Sequence, residues 1–179
     1  MNKNRSEVIF EQNTIEFVTV AAEFCKLLEQ AEGLPRKSFV DIVLKILPLL
    51  YIKSLLLPKC QMMNEEPATF VTEEDYEFTR INLTNIMGNR DDFLDVYVSD
   101  MKYSDQPITC YISENLTDIY QDLKNFICAF QIGINETMND ALVVCKDNFR
   151  LYWGQKLVNV LRALHEVYFE PEENEDILA

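Results

Sequence analysis

Residues 135–168, NETMNDALVVCKDNFRLYWGQKLVNVLRALHEVY, decide the fold that this sequence predicts. Apolar residues recur along the stretch in steps of three and four, which keeps one helical face apolar. At about 1.5 Å per residue a single helix here would be roughly 50 Å long, so we predict a bend or break near Gly154. Asn135 is the predicted N-cap. Whether the stretch is one helix or two stays open.

A second amphipathic segment directly precedes this stretch. Residues 114–132 also repeat apolar side chains at helical spacing, with Ser113 as the predicted N-cap and Gly133 at the C-terminal end. Because only two or three residues separate the two segments, we expect them to pack as an antiparallel helical hairpin.

Further helices are predicted upstream of the hairpin. Capping residues, glycines and prolines place them at residues from 6 or 13 to 32, 35–57, 73–87 and 91–100, with Thr72 and Asp75 as the capping pair of the third. Residues 101–110 show no helical pattern, and a short strand there stays open. The sequence thus predicts an all-α, single-domain bundle over residues 1–179. It should contain five to seven helices centred on the C-terminal hairpin, with a frayed acidic tail at 170–179.

The most apolar stretch of the chain is residues 39–57, FVDIVLKILPLLYIKSLLL. Asp41, Lys45, Pro48 and Lys53 interrupt it, whereas a membrane crossing needs about 20 mostly uncharged residues. Lys45 and Lys53 are eight residues apart, so they share one face and mark the solvent side of a helix. We predict a core helix here and no membrane span.

The charge of the chain limits its partners. Thirty acidic residues against sixteen basic ones give a formal net charge of −14. Such a surface repels polyanions, so neither nucleic acid nor an anionic membrane surface is an expected partner. The same charge suits solubility, and it is compatible with a protein partner or a homo-oligomer.

Cysteine usage indicates the compartment. The chain has five cysteines, an odd number, widely spaced and never in a C-x-x-C pair. The N-terminal residues also lack the apolar core of a secretory signal. We therefore expect a cytoplasmic protein with reduced thiols.

Sequence motifs of several enzyme classes are missing. With His165 as the single histidine, neither the paired E-x-x-H helices of ferritin-type di-iron sites nor the zinc motif H-E-x-x-H can form. Glycine-rich phosphate loops and the nucleophile elbow are absent as well. The paired acidic motifs of helical, magnesium-dependent nucleotide pyrophosphatases are matched only poorly, by residues 73–75 and by Glu114 with Asp118. We expect no metal and no cofactor.

Polar side chains on the C-terminal hairpin are the candidates for a ligand site. Arg162 and His165 are three residues apart, so they can face the same side of a helix, and Asp118 or Asp122 of the first hairpin helix would be within their reach. The functional interpretation is a pocket in which a carboxylate orients His165 as a base and Arg162 holds an anion. The alternative is a buried network that fixes helix register. The candidate ligand-binding residues are Tyr120, Asp122, Trp153, Arg162 and His165, and no catalytic residue is assigned.

Three pieces of sequence together resemble one known family. They are LPLLY at 47–51, LTDIYQDL at 116–123, and WGQKLV at 153–158 followed by LRALH at 161–165. Over nearly its whole length the chain resembles the bacterial domain-of-unknown-function family numbered 5063. Members of that family often carry extra histidines around the W-G motif, where this chain has Tyr152 and Lys156. The resemblance implies a helical fold and a bacterial source, and it brings no activity with it.

These observations favour a non-enzymatic protein-interaction or binding module. One alternative is a small-ligand-binding protein or enzyme with a polar pocket between the two C-terminal helices, which a cavity at that place would support. Another is a magnesium-dependent phosphohydrolase, which needs carboxylates of two helices to converge.

Overall fold

The computed structural model of the chain describes residues 8–95 and 107–170. Its helices confirm the predicted all-α class, with one addition, a small antiparallel hairpin of the strands β1 (Asp92–Leu94) and β2 (Thr109–Tyr111). A single turn of 3₁₀ helix, Val8–Phe10, precedes the first helix. The helices are α1 (Gln12–Glu29), α2 (Arg36–Leu55), α3 (Glu73–Met87), α4 (Ile112–Gln131), α5 (Asn135–Asn148) and α6 (Gly154–Phe169).

The C-terminal stretch is one continuous helix, 135–169, with a local disturbance. A π-helical turn, Phe149–Trp153, joins α5 to α6, and Gly154 donates its backbone N–H to the carbonyl oxygen of Phe149, five residues earlier. The predicted break near Gly154 is therefore a widened turn, which inserts one extra residue without ending the helix. The predicted N-cap is wrong by one position: Ile134 precedes the helix, and no side chain caps it.

Helix α4 lies at the centre of the bundle and packs against α1, α3, α5 and α6. Its residues Leu116, Ile119 and Leu123 are fully buried, as the apolar spacing predicts. They belong to one continuous core that also contains Trp153 and aromatic residues of the N-terminal helices. Gly133 ends the hairpin turn between α4 and α5 with a φ of 77°, a left-handed conformation that favours glycine.

The start of α4 differs from the prediction. Ser113 lies inside the helix and Tyr111 is the N-cap residue, without a side-chain cap bond. The carboxylate of Asp91 takes that role from outside the helix, because it accepts hydrogen bonds from the Ser113 backbone N–H at 2.8 Å and from Ser113 Oγ at 2.6 Å. This cap is 22 residues away in sequence, so a local capping pattern cannot reveal it.

The segment around Asp91 also contradicts the predicted helix at 91–100. Its described part is strand β1, paired with β2, and residues 96–106 lie outside the described residues. The capping pair of α3 is as predicted, with the backbone N–H of Asp75 bonded to Thr72 Oγ1 at 3.1 Å. The predicted acidic tail lies outside the described residues from residue 171 onward.

Candidate functional site

The structure does not bring the five candidate ligand-binding residues together. Trp153 is fully buried, and its Nε1–H donates to the carbonyl oxygen of Cys145 at 3.1 Å. Tyr120 is also buried and donates its hydroxyl to Glu29 of α1 at 3.0 Å. Arg162 and His165 are both exposed on α6. Two of these residues are thus buried with different hydrogen-bond partners, and two are exposed.

The predicted contact of an α4 carboxylate with Arg162 or His165 is not formed. Asp122 accepts a hydrogen bond from Asn148 Nδ2 at 2.6 Å, and Asp118 pairs with Lys156 Nζ at 2.6 Å. These two contacts fix the register of the antiparallel hairpin. Extended by one or two turns, that register places residues 162 and 165 at or beyond the N-terminal end of α4. Arg162 and His165 therefore lie beyond the part of α4 that carries Asp118 and Asp122, so the predicted contacts do not form.

A cluster that sequence reasoning missed lies where α3, α4 and α6 meet. Tyr76 donates its hydroxyl to Asp118 Oδ1 at 2.8 Å, while Lys156 pairs with the other carboxylate oxygen and lies 4.9 Å from the ring centroid of Tyr152. Partial burial opposes the charged form of Lys156, but the hydrogen bond and charge of Asp118 raise the pKa of its ammonium group. Burial, followed by the same carboxylate, raises the pKa of Tyr76. Because each charge has a partner, the cluster serves to tie three helices together.

All five cysteines are free, and burial raises the pKa of Cys25 and of Cys145, which keeps both as neutral thiols. Across residues 8–95 and 107–170, no three side chains of His, Cys, Asp or Glu stand close enough to hold a metal ion. Nor does any helix in those two ranges combine the length and apolar content of a membrane crossing.

Helix α2 carries the most notable exposed surface. One side of it is core, since Phe39, Val43 and Leu47 are fully buried, as the core-helix prediction requires. The opposite side is also apolar. It exposes Ile42 (38%), Leu49 (47%), Ile52 (52%), Leu55 (62%) and Leu56 (47%), which we name the α2 apolar face.

The size of the α2 apolar face can be compared with known interfaces. With about 180 Å² for a fully exposed leucine or isoleucine, these fractions leave roughly 440 Å² of apolar side chain in solvent, within the range of functional patches on monomers. Residues 42, 49, 52 and 56 follow the alternating three- and four-residue spacing of a helix–helix seam, with Lys45 at the remaining position. The face is thus both large enough and correctly spaced for a packed helix.

Two lysines of α2, Lys45 at a seam position of the α2 apolar face and Lys53, pair with carboxylates of the chain. Lys45 pairs with Asp41 on the same helix at 2.6 Å, and Lys53 pairs with Glu16 of α1. Helix α2 itself contains four basic residues and one acid, in a protein of net charge −14. The α2 apolar face is therefore apolar except at Lys45, whose charge is paired with Asp41.

Taken together, the observations define a mostly helical protein built around a C-terminal helical hairpin, with no metal cluster within the described residues. The chain belongs to the family described as domain of unknown function DUF5063, whose model matches residues 8–170. Its fold is similar to the crystal structure of protein BF1032 from Bacteroides fragilis. The two chains are 55% identical with a TM-score of 0.82, over 92% of this chain and 98% of that one. No curated protein matches the chain.

Proposed function

We propose that this chain is a non-enzymatic protein-interaction module that binds a second copy of itself through the α2 apolar face. The observation that carries the proposal is the exposure of five large aliphatic side chains on one side of a helix whose other side is core. In water such a patch gains free energy when another apolar surface covers it.

Area and charge both support a second copy as the occupant. A standard interface buries about 800 Å² per partner, a little over half of it apolar, so roughly 440 Å² of aliphatic surface supplies the apolar part of one such interface. Two copies of a protein with net charge −14 repel each other over most of their surfaces. They repel least where charges are already paired, as those of Lys45 and Lys53 are on α2.

Sedimentation velocity from about 1 to 100 µM tests the proposal, because this range brackets the micromolar affinity expected for an interface of modest size. We expect the wild type to form a dimer across this range. Ile52→Glu places a charge in the middle of the face and should leave a monomer. Ile81→Glu is the matched control, since Ile81 is 48% exposed at mid-helix on α3, against 52% for Ile52. It should dimerise like the wild type.

Ionic strength separates an apolar association from a charge-driven one. Added salt screens the repulsion between acidic copies, so the dimer should tighten as salt rises. A wild type that stays monomeric at about 100 µM would refute self-association. Equal dissociation by Ile52→Glu and Ile81→Glu would show that another surface is responsible.

A further inference from the structure

The connector between α2 and α3, residues 56–72, is held down at both of its ends by side chains of the α4–α5 hairpin. At its start, Lys146 Nζ donates to the carbonyl oxygens of Leu57 and Pro58 at 3.0 and 2.8 Å. The carboxylate of Asp140 then accepts the backbone N–H groups of Met63 and Asn64 at 2.7 and 2.9 Å.

The far end of the connector is fixed in the same way. Asn125 Oδ1 on α4 accepts the backbone N–H groups of both Phe70 and Val71, at 2.6 and 2.9 Å. The chain therefore crosses the hairpin as a strap that is anchored on α5 at one side and on α4 at the other. Its central residues, 66–69, bridge the space between the two anchors.

Beneath these residues lies a cavity of about 380 Å³ between α4 and α5, at the lower end of the volumes that hold small molecules. One wall is polar and is formed by Gln121, Asp122, Asn125 and Asn148. The rest is mainly apolar, with Phe126, Ala141 and Val144. A site of this kind fits a small molecule with one polar end and an apolar body.

The charges at the cavity restrict what it can bind. Two carboxylates line it, those of Glu66 and Asp122, and no lysine, arginine or histidine is among the described residues of its lining. The basic residues of the neighbouring helices have other partners, because Lys124 pairs with Glu29, and Lys146 holds the connector. An anion would enter a negative site without a counter-charge, so the cavity excludes it.

Asp122 is the group that a cation would meet. It is half-buried at the cavity wall, and the amide of Asn148 holds its Oδ1 at 2.6 Å. Burial, with a smaller contribution from the Asp118 charge, raises the pKa of Asp122 in spite of the hydrogen bond from Asn148. A carboxylate in this state gains most from a neighbouring positive charge.

We propose that the cavity beneath the connector binds a small organic amine, with the ammonium group paired to Asp122 and the apolar body against Phe126, Ala141 and Val144. This site is distinct from the α2 apolar face and does not depend on self-association. It uses one of the five candidate residues, Asp122, with partners from α4, α5 and the connector.

Isothermal titration calorimetry with three matched probes tests the charge preference. They are 2-phenylethylamine, the neutral 2-phenylethanol and the anionic 3-phenylpropionate, each at up to about 10 mM so that millimolar affinity is detectable. We expect the amine to bind, the alcohol to bind at least about tenfold more weakly, and the acid not to bind. Failure of the amine to bind, or equal binding of the amine and the acid, would overturn the proposal.

Two variants, Asp122→Asn and Val144→Phe, test whether the amine binds in the cavity, and Asp147→Asn is the control. Asp122→Asn keeps the shape and should weaken the amine at least about tenfold, whereas Asp147→Asn removes the same charge from an exposed position on α5 and should bind like the wild type. Val144→Phe fills the apolar part and should also abolish binding. Unchanged affinity in Asp122→Asn or in Val144→Phe, measured on variants whose circular dichroism shows them folded, would place the amine elsewhere and refute the site.

Discussion

Replacing Asp140 with alanine tests how the connector is attached to the helical hairpin. The Asp140 side chain belongs to a residue that is 1% exposed, and it accepts three hydrogen bonds. Two come from the backbone N–H groups of Met63 and Asn64, and the third comes from Asn139 Nδ2 at 2.9 Å. In Asp140→Ala these three donors lose their acceptor at once.

The size of the stability loss depends on whether the freed donors can find other hydrogen-bond partners. A hydrogen bond to a charged group contributes about 1.5–3 kcal/mol, but the Asn64 side of the connector is exposed, so its freed N–H groups can bind water. We therefore take about 1 kcal/mol for each bond and expect a loss of about 3 kcal/mol in the free energy of unfolding. For a protein of this size the melting temperature should fall by roughly 6–12 °C.

Urea denaturation measures the loss, and amide hydrogen exchange shows where it arises. Met63 and Asn64 should lose protection first, because their N–H groups are the ones released. Asp140→Asn keeps one oxygen acceptor and should lose about half as much. Asp147→Ala, at an exposed position on the same helix, controls for the change in charge and should lie within about 0.5 kcal/mol of the wild type.

The reasoning is refuted if Asp140→Ala loses less than about 1 kcal/mol, because the three hydrogen bonds to this carboxylate would then contribute almost nothing to stability. Unchanged protection of Met63 and Asn64 would refute the anchoring itself. A loss of stability with unchanged protection at both amides would assign the role of Asp140 to the packing of α5 alone.

Three further predictions concern single residues. In Gly154→Ala the new Cβ would clash with the backbone oxygen of Phe149. We therefore expect the free energy of unfolding, measured by urea denaturation, to fall by about 2–4 kcal/mol, and a fall below about 0.5 kcal/mol would contradict the π-helical turn. Asp91→Ala removes the cap of α4 at Ser113 and should cost about 2 kcal/mol in the same assay. Because burial raises the pKa of Asp122, its ionised form opposes folding above that pKa. Asp122→Asn should therefore be at least as stable as the wild type at pH 7, with the difference vanishing towards about pH 4 when stability is measured against pH.

The hairpin and the capping of α3 could be predicted because their signals are local. Helical spacing assigns buried faces to α4 and to the long C-terminal helix, and Thr72 with Asp75 forms a motif four residues long. The cap of α4 depends instead on Asp91, which is remote in sequence. The local pattern therefore led to the wrong prediction that Ser113 is the N-cap. A periodicity argument cannot reveal a residue that caps a helix from another part of the chain.

The candidate site shows a second limit, which is register. Spacing along α6 predicts that Arg162 and His165 can face the same side, and both are exposed, but it says nothing about which residues of α4 lie opposite. The contacts of Asp118 with Lys156 and of Asp122 with Asn148 determine that pairing. Asp122 alone remains a candidate, because its position at the interface of α4 and α5 depends on its own helix face and not on the far end of the partner.

Helix α2 shows why the extent of an exposed apolar face is hard to predict from sequence. Lys45 and Lys53 correctly mark a solvent side of this helix, but its pattern does not show how much apolar surface stays exposed beside them. Only the packed chain reveals that α1 and α6 cover part of it and leave Leu49, Ile52 and Leu55 in solvent. The net charge of −14 gives this exposure a physical explanation. Long-range repulsion between copies of this charge opposes unspecific aggregation, which is compatible with the apolar face that the proposed self-association uses.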